Sequence, residues 1–336
     1  MQSILVTGGA GFIGSNFVRH LIDKYSDYRI LVLDALTYAG NRGNLADLEK
    51  NPRFLFYHGN ICDRDVVDNL MSNVDAVVNF AAETHVDRSI HEAESFVRTD
   101  VLGTLVLLEA AHKYKIDRYI QISTDEVYGS IDKGAFTEHH PLQPNSPYSS
   151  SKAGGDMMVR AYHNTFGTPT MITRASNNYG PYQYPEKLIP FFVTNAIDNQ
   201  PLPLYGDGLN VRDWLYVGDH CEAVDFVLHH GQPGEIYNIG GGNERTNIDI
   251  TKIILQTLAK SDTLIKRVPD RPGHDRRYAV DTSKLQALGW KPKVVFEDAV
   301  IDTIQWYVKN ESWWRQIKEK QKAFQEFLKK NYEDRK

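Results

Sequence analysis

The chain has 336 residues, and its 38 Lys and Arg residues against 43 Asp and Glu residues give a formal net charge of −5. A weakly acidic chain lacks the broad cationic surface that attracts nucleic acids or anionic membranes, so we expect neither as a partner. Hydrophobic residues make up 41% and charged residues 24% of the chain, which is typical of a globular protein. The length predicts two domains, or one large domain with insertions.

The sequence carries no signal for a membrane or an export route. No apolar run approaches the roughly 18 residues of a membrane span, and Met1 leads directly into a strand pattern instead of a basic and then apolar leader. Cys62 and Cys221 are far apart and neither has a CxxC partner, which suits a reducing compartment. We therefore expect a cytoplasmic protein without a cysteine-based metal site, and the histidines likewise lack metal-ligand spacing.

The first 34 residues follow the pattern of two strands joined by a helix. Ser3 to Thr7 is a short run of β-forming residues that ends in a glycine-rich turn. Apolar residues then recur at helical spacing from Phe17 to Ile22. A second apolar run, Arg29 to Leu33, ends at Asp34. This order predicts a βαβ unit of about 30 residues, in which the two strands are parallel.

The alternation of apolar strands and helices continues beyond this unit. Further strand candidates are residues 54–57, 76–80 and 118–123. Helix-like segments such as 99–113 separate them, and the continuous Val and Ile runs predict a parallel sheet that is covered on both faces. From about Thr170 the pattern weakens and prolines cluster, which predicts a smaller, irregular C-terminal domain laid over the sheet.

Gly9, Gly11 and Gly14 form the pattern Gly-x-Gly-x-x-Gly between the first strand and the first helix. Glycines here permit a tight turn and the close approach of the backbone to a pyrophosphate held at the helix N-terminus. Asp34, at the end of the second strand, is placed to accept hydrogen bonds from an adenosine ribose, although a turn or cap role is the alternative. Because a carboxylate repels a 2′-phosphate, the sequence predicts a doubly wound, Rossmann-type domain that binds NAD in preference to NADP.

Residues at the ends of the next two predicted strands extend this cofactor site. Asn60 and Ile61 end one strand, and Phe80, Ala81 and Ala82 end the next. The carboxyl ends of parallel strands meet at one edge of the sheet, where ligands of such sheets bind. We assign residues 1–175 to the NAD-binding domain, to which segments near 211–240 return, and 176–336 mainly to the substrate domain.

Tyr148 and Lys152 are four residues apart, so on a helix the phenol and the ammonium group lie on one face. A nearby cation, with the positive charge of the nicotinamide, would stabilise the phenolate and lower the tyrosine pKa towards that of a general base. Tyr148 could then take a hydroxyl proton while hydride leaves for NAD. Thr124, directly after the predicted strand, could hydrogen-bond the same substrate oxygen. An exposed helix pair is the alternative when this spacing occurs alone, but here a dinucleotide motif precedes it.

Asp125 and Glu126 place two carboxylates immediately beyond the same strand. A simple alcohol dehydrogenase needs neither of them. Paired acids beside a carbonyl-forming site suit an elimination, in which one removes the proton α to the new ketone and the other protonates a departing hydroxyl. Acidic residues are also favoured at a helix N-terminus, so composition alone leaves both interpretations open.

With these motifs in place, the chain resembles the extended short-chain dehydrogenase/reductases over nearly its whole length, and most closely the dTDP-glucose 4,6-dehydratase family among them. The stretches that carry the resemblance are Thr7 to Gly14, Leu36 to Asn41, Ala81 to Ser89, Ser123 to Gly129, Tyr148 to Lys152, Arg212 to Trp214 and Arg271 to Asp275. The triplet of Thr124, Asp125 and Glu126 discriminates best, because related sugar-nucleotide epimerases usually carry Ser or Ala in place of the two acids.

The resemblance implies an NAD-dependent lyase that dehydrates dTDP-glucose to its 4-keto-6-deoxy product. Tyr148, held by Lys152, would take the C4 hydroxyl proton as C4 gives hydride to NAD, and Thr124 would orient the C4 oxygen. Glu126 would then remove the C5 proton and Asp125 would protonate the C6 hydroxyl, so that water leaves. Hydride would return to C6, which regenerates NAD in each turnover.

The resemblance also implies further contacts of the cofactor and the substrate. Further cofactor contacts are expected from Gly8, Phe12, Ile13, Ala35, Leu36, Thr37, Thr84, Thr99, Tyr148, Lys152 and Asn178. Substrate contacts are expected from Thr84, Thr124, Asn177, Lys187, Leu188, Pro203, Leu204, Tyr205, Arg212, Asn247, Asp270, Arg271, Pro272, Gly273 and His274. Arginine suits a diphosphate because its planar guanidinium can bind oxygens in pairs. Two positions depart from the family, with Asn60 in place of the common Asp and Thr84 in place of the usual Ser.

Several alternatives stay open at this point. The chain could be a dehydratase for a UDP-, CDP- or GDP-linked sugar, or a 4-epimerase, against which Asp125 and Glu126 argue. It could also be a non-catalytic NAD-binding scaffold, against which the set of Thr124, Tyr148 and Lys152 argues. The resemblance further implies a homodimer whose interface is formed by helices near 99–113 and 148–166. Its product would feed the synthesis of rhamnose or of other deoxysugars.

Overall fold

The structure is a computed structural model that describes residues 2–270, 273–320 and 326. Its strands are β1 (Ser3–Thr7), β2 (Arg29–Asp34), β3 (Phe54–His58), β4 (Ala76–Asn79), β5 (Arg118–Thr124), β6 (Thr170–Ala175), β7 (Asn177–Tyr179), β8 (Leu202–Tyr205), β9 (Val211–Tyr216), β10 (Ile236–Ile239), β11 (Glu244–Thr246) and β12 (Ile265–Val268). Its helices are α1 (Phe12–Lys24), α2 (Arg64–Met71), α3 (Val86–His91), α4 (Glu94–Phe96), α5 (Thr104–Lys113), α6 (Pro147–Phe166), α7 (Leu188–Ile197), α8 (Val217–His230), α9 (Asn247–Thr257), α10 (Ser283–Ala287), α11 (Phe296–Lys309) and α12 (Glu311–Lys320). None of these helices is both long and apolar enough to cross a lipid bilayer.

Among the described residues, seven parallel strands form the large sheet in the order β10-β6-β5-β4-β1-β2-β3. This order confirms the predicted doubly wound, Rossmann-type sheet. The chain leaves β1 towards β2 and β3 on one side and returns to β4, β5 and β6 on the other. The order therefore reverses between β1 and β4, and the carboxyl ends of these strands form the crevice in which ligands of such sheets bind.

Both faces of the large sheet are buried, as its continuous apolar runs predict. Ile4 and Val6 of β1 belong to an apolar cluster that α1 and α8 cover, whereas Leu5 belongs to a second cluster that α2 and α5 cover. Side chains alternate between the two faces along a strand, so a strand with helices on both sides has no polar face. The burial of these side chains from water is the main favourable contribution to folding.

The C-terminal part of the chain builds a smaller unit beside this sheet. A third apolar cluster joins α7, α9, α11 and β8. Two short sheets accompany it, one in the order β11-β9-β7 and the other pairing β12 with β8. The chain also returns to the large sheet within this half, because β10 pairs with β6 and α8 packs against α1.

The helix expected at 99–113 is divided in the structure. The segment Val97–Gly103 forms a π-helical turn between α4 and α5. Its close neighbour is α6, where a Cβ at Gly155 would lie 2.7 Å from the carbonyl oxygen of Asp100. The absence of a side chain at Gly155 therefore lets α6 approach the π-helical turn closely, and such turns are frequent at functional sites.

Candidate active site

A cavity of about 270 Å³ lies at the carboxyl edge of the large sheet, at the reversal of the strand order. Residues from the ends of β1, β2, β4, β5 and β6 line it, together with the start of α6. The two groups of residues that the sequence singled out, the glycine motif and the acid and tyrosine motifs, therefore share one cavity although more than a hundred residues separate them.

The glycine motif makes the turn from β1 into α1 at one end of the cavity. Gly8 has a φ of 66°, and a Cβ there would lie 2.6 Å from the backbone nitrogen of Ala81. Gly11 precedes α1 without a side-chain cap, so the first N–H groups of the helix need acceptors from elsewhere. A helix start of this kind, approached through glycine, fits the pyrophosphate of a dinucleotide.

Asp34 is fixed at the end of β2 by two backbone donors. Its Oδ2 accepts a hydrogen bond from the Ala10 N–H at 2.9 Å, and its Oδ1 accepts one from the Leu36 N–H at 2.8 Å. Burial raises the pKa of Asp34, and the two N–H donors oppose this increase. Each carboxylate oxygen keeps a further lone pair, so Asp34 can still accept hydrogen bonds from ribose hydroxyls in the cavity.

The other expected cofactor residues line the same cavity, with one exception. Those in the lining are Gly8, Gly11, Phe12, Ile13, Gly14, Ala35, Thr37, Asn60, Ile61, Phe80, Ala81, Ala82, Thr84, Thr99, Tyr148, Lys152 and Asn178. Leu36 lies outside the lining; its side chain packs against the core, and its N–H holds Asp34. The Asn60 side-chain oxygen accepts from the Cys62 N–H at 2.8 Å, which leaves that oxygen one lone pair for a ligand.

Tyr148 and Lys152 occupy the first turns of α6. Ser146 and Ser149 cap this helix reciprocally, and Pro147 is its first residue, so its start is well defined. Lys152 is buried, and its Nζ donates to the carbonyl oxygen of Ile122 at 2.8 Å. The capping box and this bond hold the beginning of α6 against the end of β5.

Burial, together with nearby negative charges, holds the pKa of the Tyr148 phenol well above its usual range. Burial is the main cause, and the negative charges of Glu126 and Asp100 add to it, whereas a hydrogen bond with Thr124 opposes it. The phenol therefore needs an additional positive charge beside it before it can act as a base near neutral pH. The nicotinamide ring of oxidised NAD carries such a charge.

Thr124 ends β5 and caps the short 3₁₀ helix Asp125–Tyr128. Its Oγ1 accepts a hydrogen bond from the Glu126 N–H and donates one to Asp125 Oδ1, both at 3.2 Å. The two acids therefore begin a helix and line the cavity at once. The sequence left open whether the two acids begin a helix or face a reacting ligand, and the structure is compatible with both.

Asp125 and Glu126 differ in their surroundings. Asp125 is 2% exposed, and within the described residues its Oδ2 has no hydrogen-bond partner. Burial raises the pKa of Asp125 well above its usual range, Glu126 and Asp213 raise it further, and Arg212 opposes them. Asp125 is therefore suited to carry a proton and to donate it, whereas Glu126 is less buried and lines the same cavity.

Two acids near the cavity were not singled out from the sequence. Glu83 lines the cavity, and burial together with the charge of Asp100 raises its pKa to about 7. Asp100 accepts from Ser151 Oγ at 2.6 Å and from the Glu83 N–H at 3.3 Å. Burial raises the pKa of Asp100 to about 6, although the positive charge of Lys152 opposes this. Asp100 follows Thr99 directly, but nothing in its local pattern indicates that α6 is its neighbour.

His220 of α8 was also missed. It is fully buried, lines the cavity, and its Nδ1 lies 2.8 Å from Asn178 Oδ1. Burial lowers the pKa of His220 to about 3, so the ring is neutral and its Nδ1–H donates to Asn178. In the sequence it is a lone histidine on an apolar helix, which gives no signal of a site.

The expected substrate residues fall into two groups. Thr84, Thr124, Asn177 and Lys187 line the cavity, and Lys187 Nζ donates to the Thr84 carbonyl oxygen at 2.6 Å. Those outside the lining, in the C-terminal half, are Leu188, Pro203, Leu204, Tyr205, Arg212, Asn247, Asp270, Gly273 and His274. Arg271 and Pro272 lie outside the described residues.

Arg212 links the second group to the reacting end of the cavity. Its guanidinium lies over the Tyr278 ring, 4.4 Å from the ring centre, and donates to the Asp275 carbonyl oxygen at 3.0 Å. Its positive charge reaches Asp125, whose pKa it lowers. An anionic ligand that met Arg212 would therefore weaken this effect on Asp125.

The sequence of the chain is similar to those of nucleotide-sugar dehydratases. The family model for GDP-mannose 4,6 dehydratase matches residues 5–303. The dTDP-glucose 4,6-dehydratase of Streptomyces niveus is 51% identical over 325 residues, which cover 95% of this chain and 97% of that protein. The low-salt glycan biosynthesis protein Agl12 of Haloferax volcanii is 54% identical over 307 residues, 91% of this chain and 99% of that protein.

The chain is also similar to solved structures of enzymes that were crystallised with NAD. The dTDP-glucose 4,6-dehydratase DesIV from Streptomyces venezuelae, crystallised with NAD, has a TM-score of 0.92 and 52% identity, and the match covers 94% of this chain and 100% of that one. The UDP-glucose 4-epimerase of Thermus thermophilus, also with NAD, has a TM-score of 0.85 and 30% identity, with 92% and 100% covered.

Proposed function

This chain belongs to the family that the GDP-mannose 4,6 dehydratase model describes and to the dTDP-glucose 4,6-dehydratases within it, and we propose that it converts dTDP-glucose to dTDP-4-keto-6-deoxyglucose as an NAD-dependent hydro-lyase. One observation carries this proposal. The buried Asp125, whose pKa is raised well above its usual range, and the neighbouring Glu126 line the same cavity as Tyr148, Lys152 and the glycine turn.

The cavity supplies a separate group for each proton that the reaction moves. The glycine turn and Asp34 would hold NAD, which would supply the hydride acceptor for C4 and the hydride donor for C6 of the sugar. Tyr148 takes the proton of the C4 hydroxyl, and the Thr124 hydroxyl orients the C4 oxygen. Glu126 removes the C5 proton, which the new C4 ketone has made acidic, and later returns it. Asp125 donates its proton to the C6 hydroxyl, which leaves as water.

Residues on both sides of the cavity are proposed to bind the nucleoside diphosphate. Lys187 at the start of α7 and Arg212 on β9 supply positive charge, and Asn177 supplies an amide. In addition, Tyr205 and His274 form an edge-to-face ring pair at 6.0 Å beside which a base could stack. The remaining expected contacts, Leu188, Pro203, Leu204, Asn247, Asp270, Arg271, Pro272 and Gly273, complete this proposal.

The second candidate is a 4-epimerase, because the fold is shared with UDP-glucose 4-epimerases at a TM-score of 0.85. An epimerase returns hydride to C4 and eliminates no water, so it has no use for Asp125 and Glu126. Incubation of the pure protein with dTDP-, UDP-, CDP- and GDP-sugars, followed by mass spectrometry of each sugar nucleotide, separates the candidates. Loss of one water from dTDP-glucose supports the dehydratase, and an unchanged mass with inverted C4 supports the epimerase.

We also propose a homodimer formed through α5, α6 and the π-helical turn. Leu102, Met157 and Phe166 are 39%, 43% and 52% exposed, and large apolar side chains at the surface favour burial against a partner. Sedimentation at several protein concentrations tests this. Leu102→Lys with Met157→Lys is expected to shift the protein to the monomer, and an unchanged sedimentation coefficient would count against this interface.

The domain division and the location are proposals of the same kind. The assignment of residues 1–175, with segments near 211–240, to the NAD-binding domain is supported by the pairing of β10 with β6 and the packing of α8 on α1. A cytoplasmic location is supported by Cys62 and Cys221, which are both free thiols. Limited proteolysis and cell fractionation test the two proposals.

A further inference from the structure

The helix α12 contacts two segments of the chain that line the cavity. Ala39, from the segment after β2, and Tyr184, from the segment before α7, both belong to the lining. Behind them, the buried Ile317 of α12 packs with Tyr184, and Tyr38, Ala39 and Trp313 pack against this pair. The rings of Tyr38 and Tyr184 meet edge to face with their centres 5.6 Å apart. The helix therefore joins two lining segments that are far apart in the chain.

Consecutive hydrogen bonds link α12 to the glycine turn. The indole N–H of Trp313 donates to Asn44 Oδ1 at 2.8 Å, and Asn44 Nδ2 donates to the carbonyl oxygen of Ala10 at 2.9 Å. The Ala10 N–H is in turn one of the donors that hold Asp34. Because an indole N–H can only donate, it fixes which end of the Asn44 amide faces Ala10. The C-terminal helix is thereby connected to the carboxylate that is expected to bind the ribose.

Both ends of the bond between Trp313 and Asn44 are firmly anchored. Asn44 is 1% exposed, and the next residue, Leu45, belongs to the apolar cluster that α1 and α8 cover. Trp314, next to Trp313, is fully buried in the apolar cluster of the C-terminal unit, and its indole N–H donates to the carbonyl oxygen of Tyr307 at 2.9 Å. Separation of the C-terminal unit from the large sheet would therefore break this bond.

The ring of Tyr182 makes a second contact across the same boundary. The Arg19 guanidinium of α1 lies 4.4 Å from the centre of this ring, and the rings of Trp306 and Trp313 lie 4.8 Å and 5.8 Å from it. Tyr182 has a φ of 67°, which is uncommon for a bulky residue and costs free energy. The contacts on both sides of the ring offset this cost, so the backbone of this segment is adapted to the contact with α1 and α12.

We propose that Trp313 and Asn44 form a clasp that keeps NAD in the cavity between turnovers. This proposal rests on the proposed function, in which each turnover regenerates NAD so that the cofactor has no need to leave. Asp34 is 8% exposed, and a Cβ at Gly40 would lie 2.7 Å from its carboxylate, so the segment after β2 covers this end of the cavity. NAD enters or leaves when the lining segments separate, which breaks the clasp. Trp313 and Asn44 lie outside the lining and are positioning residues.

The clasp predicts a kinetic signature that a damaged cofactor site does not produce. Its contacts are made between residues of this chain, so a substitution weakens them equally with and without cofactor. A weaker clasp therefore opens more often in both states. Release and uptake of NAD are then accelerated by the same factor, and the Kd is unchanged. A distorted site, in contrast, releases NAD faster without faster uptake, so its Kd rises.

Exchange of bound NAD for deuterium-labelled NAD tests the clasp without any sugar. The NAD-loaded protein is mixed with an excess of labelled cofactor, mass spectrometry follows the bound fraction, and equilibrium dialysis gives the Kd. Trp313→Phe keeps an aromatic ring but loses the N–H that Asn44 accepts. Trp306→Phe is the matched control, because it removes the same atoms from the neighbouring ring on α11, whose centre lies 5.3 Å from that of Trp313.

We expect Trp313→Phe to release NAD about 10-fold faster than the wild type, with an unchanged Kd. This factor corresponds to about 1.4 kcal/mol, which is within the cost of leaving a buried acceptor without its donor. Trp306→Phe is expected to exchange NAD at the wild-type rate. Asn44→Ala removes the same bond from its other end, so the addition of Trp313→Phe to Asn44→Ala should give no further acceleration.

Other outcomes would overturn the clasp. Unchanged exchange in Trp313→Phe would do so, as would an equal acceleration in Trp306→Phe or a further acceleration in the double variant. Faster release with a matching increase in Kd would also overturn it, because the substitution would then have damaged the site itself.

Thermal melting shows whether each variant is folded. If Trp313→Phe is not, Ile317→Val takes its place, since it removes one methylene group from the same cluster. We expect this variant to exchange NAD about 3-fold faster, and an unchanged rate would overturn the clasp. Failure of the proposed function has a different appearance: the wild type would release no water from dTDP-glucose, whereas the exchange of NAD would still depend on Trp313.

Discussion

The ammonium group of Lys152 lies 2.8 Å from the carbonyl oxygen of Ile122, so the helix that carries Tyr148 is bound to the strand that leads to the two acids. The proposed base for the C4 hydroxyl and the two acids proposed to remove water are thereby held on two elements in direct contact. A relative movement of these elements would disturb oxidation and elimination together, and we expect separation of the two steps only from changes at single side chains.

Glu126→Gln is expected to separate the two steps. Tyr148 and the cofactor are unchanged, so C4 oxidation continues and enzyme-bound NADH accumulates. The C5 proton has no base, and we expect deuterium exchange at C5 and the loss of water to fall by about 100-fold or more. Absorbance of NADH and mass spectrometry in heavy water measure the two steps. Near-normal dehydration by this variant would show that Glu126 does not have the assigned role.

Asp125→Asn is expected to block a later point of the same reaction. The amide has the shape of the carboxyl group but cannot protonate the C6 hydroxyl. Exchange of the C5 proton should therefore persist through Glu126, while formation of the 4-keto-6-deoxy product falls by about 100-fold or more. The same heavy-water experiment checks this, with Glu126→Gln as the comparison. If both variants lose C5 exchange to the same extent, the two acids do not have separate roles.

Asp100→Asn is expected to move the pH dependence of the reaction. The negative charge of Asp100 raises the pKa of Tyr148, so its removal lowers that pKa, and a phenolate then forms at lower pH. We expect the acidic limb of the kcat/KM profile to shift to lower pH. Ser151→Ala is the control, because it removes the 2.6 Å hydrogen bond to Asp100 without removing the charge. A shift of equal size in this control would mean that positioning, and not charge, is responsible.

His220 is expected to make the protein less stable as the pH falls. Burial lowers its pKa to about 3 from the usual 6.5, so between these values the unfolded chain binds a proton that the folded protein does not. The neutral ring makes its full contribution to the free energy of unfolding above about pH 6.5. As the pH falls from there towards 3, the free energy of unfolding decreases by about 1.4 kcal/mol per pH unit. Urea unfolding of the wild type and His220→Gln at several pH values measures it. The difference in the free energy of unfolding should shrink at acid pH; a constant difference would contradict the prediction.

Local patterns in the sequence were sufficient to predict the sheet and to find residues that line one cavity at its edge. The glycine turn, Asp34 and the strand ends each follow from residues within a few positions of one another, and parallel strands bring their carboxyl ends to one edge. The triplet of Thr124, Asp125 and Glu126 at the end of β5 could be found for the same reason. Its assignment to an elimination, however, needed the resemblance, because acids also begin helices.

Contacts between distant segments could not be predicted in this way. Asp100 reaches the site only because the chain forms a π-helical turn at Val97–Gly103 and α6 packs closely on it. His220 lies on α8, some forty residues along the chain from Asn178, to which it is hydrogen-bonded. Leu36 is the opposite case, because the sequence places it in a stretch expected to bind the cofactor. In the structure its backbone is left-handed, with a φ of 50°, its N–H donates to Asp34, and its side chain packs against the core.

Because the gap between α6 and the π-helical turn is narrow, we expect a side chain at Gly155 to affect the reaction from outside the cavity. An added methyl group there would push against the carbonyl of Asp100 and so against the hydrogen bond from Ser151 to that residue. Lys152 lies about one turn before Gly155 on α6, and Tyr148 about two turns before it, so the disturbance would extend to both. Gly155→Ala should therefore impair turnover while binding of the nucleotide alone is preserved, since Gly155 does not line the cavity.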